Sequence, residues 1–161
     1  MTDQLLRRAT VITVSDRSAV GEREDASGPR AEQTLADAGF TVSRVVVPDG
    51  EDSVRAAVTE AVGGGADVVF TLGGTGVGPR DRSPEAVRPL LDRELPGVAE
   101  AIRAHGLAAT PLAALSRGIA GVIGSAVVVV LPGSPGGVRD GMAVAVPLVP
   151  HLLDQLAGGD H

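Results

Sequence analysis

The segment Val68–Pro84, VVFTLGGTGVGPRDRSP, concentrates the residues that could do chemistry. An apolar run, Val68–Leu72, enters Gly73-Gly74-Thr75-Gly76, and Arg80, Asp81 and Arg82 follow within six residues of Gly76. Three glycines in four residues allow positive φ and let a ligand approach the main chain closely. A glycine-rich turn between a strand and a helix presents N–H groups that suit phosphate. Such turns also occur simply as tight connections. Here a carboxylate and two guanidiniums on the same loop favour a ligand site. The pattern is neither the Walker phosphate loop nor the dinucleotide GxGxxG fingerprint, and the chain contains no lysine at all.

Further acids lie where other strands should end. Asp16 and Ser15 follow the β-branched run Ala9–Val14, and Asp49 sits in the turn Pro48-Asp49-Gly50 after Phe40–Val47. A second glycine- and proline-rich loop, Pro132–Gly137, follows the apolar run Ala126–Leu131. Asp16, Asp49 and Asp81 offer hard oxygen ligands, and magnesium takes one or two carboxylates plus substrate phosphates and water. Phosphoryl and nucleotidyl transfer needs mostly positioning and charge neutralisation, not a covalent nucleophile. A competing role for Asp49 is to cap the next helix, a job for which Asp52 and Ser53 also qualify.

The elements that must position these groups follow from hydrophobic pattern. Strands are predicted over Ala9–Val14, Phe40–Val47 and Val68–Leu72, with helices after each. Pro29 opens one helix that ends at Gly39, and the stripe Val54, Ala57, Val58, Ala61 and Val62 marks a second, closed by Gly63-Gly64-Gly65. Ser83-Pro84-Glu85 starts a third, predicted to run to about Asp92, and a fourth is predicted over Val98–Ala104 after the break at Glu94–Gly97. Arg117–Ile123 and Ala126–Leu131, separated by Gly124-Ser125, read as a tight hairpin. Two helices, from Val138 to Val146 and from Pro147 to Leu156, close the chain, and Gly158–His161 is expected to fray.

This alternation predicts an α/β domain: a three-layer α/β/α sandwich on a mostly parallel sheet, with one antiparallel strand from the late hairpin. In such sheets ligands sit at the carboxyl ends of the strands. The loops Ser15–Gly28, Pro48–Gly50, Gly73–Arg82 and Pro132–Gly137 should therefore converge on one rim.

Composition excludes several alternatives. A length of 161 residues fits one domain, with a core over about 9–157. Net charge is −6 and Phe40 and Phe70 are the only aromatics, a poor basis for nucleic-acid binding. Without cysteine there is no disulfide, thiolate metal site or thiol nucleophile, and without lysine no Schiff base. His105, His151 and His161 show no metal-ligand spacing, and Ser15, Ser116 and Ser134 have no adjacent His–Asp constellation, so a hydrolase triad is not expected. No leader is visible in MTDQLLRRATVITVSD, and no apolar run approaches the roughly 20 residues of a membrane helix, so the expectation is a cytoplasmic protein with no membrane partner.

With these residues assembled, the chain resembles the small MogA/MoaB-type molybdopterin adenylyltransferases of molybdenum cofactor biosynthesis, from Val11 to about Gln155. The resemblance rests on VSDR (Val14–Arg17), DASG (Asp25–Gly28), PDG (Pro48–Gly50) and TLGGTGVGPRDRSPEA (Thr71–Ala86). It rests further on DRELPG (Asp92–Gly97), LSR (Leu115–Arg117) and LPGSPGG (Leu131–Gly137). It implies a homotrimer that uses ATP, molybdopterin and Mg²⁺ to make adenylyl-molybdopterin and pyrophosphate. It implies Asp49 and Asp81 as catalytic and metal-positioning residues. Gly73, Gly74, Thr75, Gly76, Arg80, Pro132, Gly133 and Ser134 would bind phosphate, and Ser15, Asp16, Ser116 and Arg117 would line the same pocket. Molybdate insertion would need a separate partner protein. A non-catalytic pterin carrier or scaffold is the alternative reading of the same loops.

Overall fold

The computed structural model describes residues 6–160; Met1–Leu5, on which part of the expectation about a leader rests, and His161 lie outside the described residues. Four strands run parallel: β1 (Arg8–Val14), β2 (Thr41–Val47), β3 (Val68–Leu72) and β6 (Ala126–Leu131). The six-stranded sheet has the order β2-β1-β3-β6-β5-β4. Strand β5 (Ala120–Ile123) pairs antiparallel with β6 across the Gly124-Ser125 turn, where Gly124 takes φ 57°. A two-residue edge strand, β4 (Arg93–Glu94), pairs antiparallel with β5. The expected single reversed strand is therefore β5, and β4 is an addition that the pattern did not announce.

The strands alternate between two apolar layers because successive side chains point to opposite faces. Val11, Phe70, Val129 and Leu131 meet Leu35 of α2 (Ser27–Asp37), Met142 of α6 (Pro135–Ala145) and Leu153 of α7 (Val149–Leu156) on one face. Ile12, Val69, Val128 and Val130 meet Val54 and Val58 of α3 (Glu51–Gly63) and Val87 of α4 (Ser83–Val87) on the other. The β6 valines are all buried, each contributing on the order of 1.5–3 kcal/mol. This is the expected three-layer sandwich.

Several boundaries differ from the pattern, each for a local reason. Helix α4 stops at Val87 and tightens into a 3₁₀ turn over Arg88–Leu90, short of Asp92. Pro89 has no N–H to bond Glu85, and its ring crowds that carbonyl. Helix α5 (Pro96–Gly106) begins at its proline, and α6 begins at Pro135 behind the Ser134 cap, earlier than the apolar stripes suggested. Helix α2 likewise starts at Ser27 ahead of Pro29. Arg117–Ile119 leaves the hairpin strand, since β5 begins only at Ala120; Gly118 lets this chain cross β6, where a Cβ would stand 2.4 Å from the Val130 carbonyl.

The order of strands places a switch point between β1 and β3: β2 lies to one side of the pair and β6 to the other. The two glycine loops fill that point. Gly73 takes φ 118°, and a Cβ there would sit 2.3 Å from the Val14 carbonyl oxygen. Gly73→Ala should therefore lower stability by at least about 2 kcal/mol in chemical denaturation, combining left-handed strain with a backbone clash. Gly21→Ala, at φ 79° with open space around it, should lose only the strain, roughly 1 kcal/mol.

Candidate functional site

All four loops that follow parallel strands meet at the carboxyl end of the sheet. They enclose a cleft of about 700 Å³ whose lining includes Ser15, Asp49, Gly73–Gly76, Asp81, Gly133 and Ser134. A second cleft of about 360 Å³ lies alongside and shares Thr75, Gly76 and Ser134 with the first. Its walls are largely aliphatic, with Ile102 of α5 and Leu112 and Leu115 of the 3₁₀ turn Pro111–Leu115; Ser116 and Pro132 line it too.

The floor between the clefts is made of backbone. Among the described residues, the amide N–H groups of Gly74, Thr75, Gly76, Gly133 and Ser134 donate to no protein acceptor. Thr75 is nearly buried, so its free N–H faces either a ligand or water. The two loops lie back to back: Gly73 N–H donates to Leu131 O at 2.9 Å, and a Cβ on Gly133 would come within 3.2 Å of Gly73 Cα. Ser134 caps α6, its Oγ accepting from Gly137 N–H at 3.1 Å, so that helix's N-terminus opens onto the same floor. Ser15 caps the short helix α1 (Asp16–Ala19) in the same way, through Ser18 N–H.

The acids are held by reciprocal bonds. Asp16 N–H donates to Asp49 Oδ2 at 2.9 Å, and Asp49 N–H donates to Asp16 Oδ1 at 3.1 Å. Asp49 is not the cap of α3: the N-cap is Gly50, at φ 115°, and it has no side-chain bond. Neither Asp52 nor Ser53 caps it; Ser53 Oγ donates instead to Pro48 O at 2.6 Å. Asp81 Oδ2 accepts from Gly78 N–H at 2.9 Å and is cradled by missing side chains, since a Cβ on Gly76 or Gly78 would stand 2.8 or 2.7 Å from it. Asp49 and Asp81 each keep Oδ1 free of protein hydrogen bonds among the described residues.

The arginines on these loops bond to the protein itself. Arg80 grips Asp16 through Nε at 2.6 Å and Nη2 at 3.0 Å, and Nη2 also donates to Asp49 O at 2.7 Å. Arg117 bonds Gly76 O, Asp81 O and Glu85, and lies outside the lining of both clefts, as does Arg80. Arg82 pairs with Glu51 at the start of α3. Arg23, on the polar loop after β1, lines the large cleft and has no described side-chain partner. Sequence reasoning passed over it, because nothing local distinguishes it from a solvated charge; only the folding back of that loop over the glycine turn brings it to the cleft. His105 lies in the last turn of α5 and His151 on α7, and neither is in the lining of either cleft.

Charge in the large cleft is therefore mostly negative, with Glu24, Asp25, Asp49 and Asp81 against Arg23. A phosphorylated ligand entering it needs added positive charge. Two free carboxylate oxygens of the hard kind fit Mg²⁺ carried in with phosphate oxygens. No cluster of three or more acidic, His or Cys groups able to hold a metal by itself exists among the described residues.

This fold and rim define a doubly wound α/β domain with a cleft at its topological switch point. The chain belongs to the family of probable molybdopterin binding domains, whose profile matches residues 10–151. It is 43% identical over 148 residues to a molybdopterin adenylyltransferase of Pyrococcus furiosus, covering 89% of this chain and 87% of that protein. It is 42% identical over 154 residues to a molybdenum cofactor biosynthesis bifunctional protein of Synechococcus elongatus, covering 95% of this chain but 48% of that one. The chain thus spans about half the length of the bifunctional relatives it matches. A molybdopterin biosynthesis protein from Mycobacterium abscessus superposes with a TM-score of 0.90 at 51% identity, covering 94% of this chain and 97% of that one. No helix among the described residues is long and apolar enough to cross a membrane.

The Arg80–Asp16 pair carries a pH signature. Hydrogen bonding to Arg80 holds the Asp16 carboxyl below its ordinary range, opposed by desolvation and helped by the guanidinium charge and Asp49 N–H. A lowered folded value means that ionised Asp16 favours the folded state. That contribution is complete above the unfolded value of about 4 and disappears as pH falls through the lower folded one. Urea unfolding below about pH 4 should show a shallower loss of stability in Asp16→Asn than in wild type. Parallel slopes would mean the pair is no tighter folded than unfolded.

Proposed function

We propose that the chain is a molybdopterin adenylyltransferase: it transfers AMP from ATP to the terminal phosphate of molybdopterin and releases pyrophosphate. The observation that carries this is that Asp49 and Asp81, each with a free oxygen, line one cleft together with unsatisfied N–H groups from two glycine loops. The name of the Pyrococcus furiosus relative supports it. In the reaction, an oxygen of the pterin's terminal phosphate bonds to the α-phosphorus of ATP. The bond from that phosphorus to the α–β bridging oxygen breaks, and pyrophosphate leaves with the electron pair.

Each group present has a role in that step. Gly74–Gly76, Gly133 and Ser134 donate N–H bonds to the phosphate oxygens at the junction of the clefts. The aliphatic second cleft suits a flat heterocycle, placing the two substrates on either side of Thr75 and Gly76. Arg23 supplies a guanidinium to the polyphosphate. Asp49 and Asp81 would hold Mg²⁺, which supplies charge neutralisation to the phosphates when bound. The reading extends to a cytoplasmic homotrimer that hands its product to a molybdate-inserting protein, with the remaining half of the bifunctional relatives as the model for that partner.

Asparagine substitutions test it cleanly. Asp81→Asn retains an acceptor for Gly78 N–H, and Asp49→Asn one for Asp16 N–H, while each removes the charge. Anaerobic incubation with molybdopterin, ATP and Mg²⁺, followed by mass analysis, should give adenylylated pterin with wild type. The rate should fall on the order of 10²-fold or more in each variant, with thermal stability kept. Undiminished turnover by folded Asp81→Asn defeats the assignment; retained pterin without product in wild type turns it toward the carrier reading.

A further inference from the structure

An arginine outside the lining of both clefts bonds to the glycine loop. Arg117 reaches it at three points and anchors to α4 at a fourth. Its backbone N–H donates to Thr75 O at 3.0 Å, Nε to Gly76 O at 2.8 Å and Nη2 to Asp81 O at 2.8 Å, and Nη1 pairs with the Glu85 carboxylate. Gly76 and Asp81 are the two ends of the exposed turn that carries the Asp81 carboxylate. One planar guanidinium therefore bridges both ends of that turn and ties them to α4. Lysine cannot do this, because a single ammonium lacks the rigid fork of donors.

Arg117 is itself braced from the far side. Arg103 of α5 donates through Nη1 to Ser116 O at 3.3 Å and Gly118 O at 2.8 Å, the carbonyls on either side of Arg117. Ser116 Oγ accepts from Gly118 N–H at 3.2 Å and closes the bend. Arg103 and Ser116 line the aliphatic cleft. A continuous line of hydrogen bonds thus runs from the wall of that cleft, through Arg117, to the main chain of Asp81.

We infer that Arg117 is a positioning residue for Asp81 rather than a phosphate ligand: it fixes the Gly76–Asp81 turn so that the free carboxylate oxygen stays in the large cleft. As a statement about catalysis this rests on the reading of Asp81 given above; as a statement about the turn it stands alone. The alternative for an arginine beside a glycine loop of this kind is direct substrate contact. The two differ in what a substitution changes. Loss of a phosphate ligand raises the KM for ATP or pterin, whereas a misplaced carboxylate lowers kcat.

The test compares Arg117→Ala and Arg117→Lys with wild type, all as the full chain. In Arg117→Ala, kcat should fall on the order of 10²-fold while both KM values stay within about threefold. Added guanidinium ion should restore part of the loss in a saturable way, and Arg117→Lys should remain nearly as impaired as the alanine variant. Independently of turnover, exchange should quicken at the hydrogen-bonded amides of the turn, Gly78, Asp81 and Ser83, but not in β3 or β6. Unchanged exchange in that segment, or a raised KM with kcat kept, overturns the inference. If wild type makes no product, the proposed function fails while the exchange result still decides the role of Arg117. Should Arg117→Ala not fold, Glu85→Gln replaces it: faster exchange in the same segment supports the strut, and no change defeats it.

Discussion

Parallel pairing of β1 with β2 and β3, and of β3 with β6, governs everything at the rim. A parallel neighbour can be reached only by a crossover, so each strand must end at the same edge before the chain turns into a helix. Four loops therefore arrive at one edge whatever their sequences. What they do there is decided by how closely their backbones can approach. Gly73 lies against the Val14 carbonyl and Gly133 lies against Gly73, so the loops after β1, β3 and β6 form one continuous surface of main chain. Side chains at these positions would separate the loops.

Charge on this surface is organised in two tiers. The inner tier consists of amides and of Asp49 and Asp81, which line the cleft and each keep one carboxylate oxygen free of protein hydrogen bonds among the described residues. The outer tier consists of arginines that bond to protein: Arg80 to Asp16 and Asp49, Arg82 to Glu51, Arg117 to Glu85 and two carbonyls. Arg117 and Arg82 also hold the Glu85 carboxyl below its ordinary range, with the Arg117 hydrogen bond as the leading cause. Pairs this exposed contribute little to global stability. Their consequence is geometric, because they join the turns after β2 and β3 that carry the two aspartates. A chain whose basic residues are all arginine suits this use, since the guanidinium fork can bond two acceptors at once.

The family gives this arrangement its setting. The same domain occurs as a separate chain of nearly equal length in Pyrococcus furiosus and within a chain about twice as long in Synechococcus elongatus. A cleft assembled from the loops at the carboxyl edge of one sheet can be carried in either form, because those loops come from this domain's own strands.

Much of this was legible in the sequence. The periods of Val11–Val14, Val68–Leu72 and Ala126–Leu131 identify buried strands, glycine and proline mark the turns between them, and the alternation with helices dictates a parallel sheet. Asp16, Asp49, Asp81 and both glycine loops follow as one rim, since strand direction alone sends them there. The short strand Arg93–Glu94 escaped, because two polar residues have no period; they are strand only because Val122 and Gly121 lie alongside. The roles of the arginines also escaped. Sequence places Arg80 and Arg117 near phosphate-binding glycines, but a guanidinium bonds whichever acceptors the fold brings within reach. Those acceptors, Asp16 at 64 residues' distance and Gly76 at 41, are neighbours only in three dimensions. Local pattern determined the elements, their direction and the loops that meet; long-range contact alone decided which charges face the cleft and which hold it in shape.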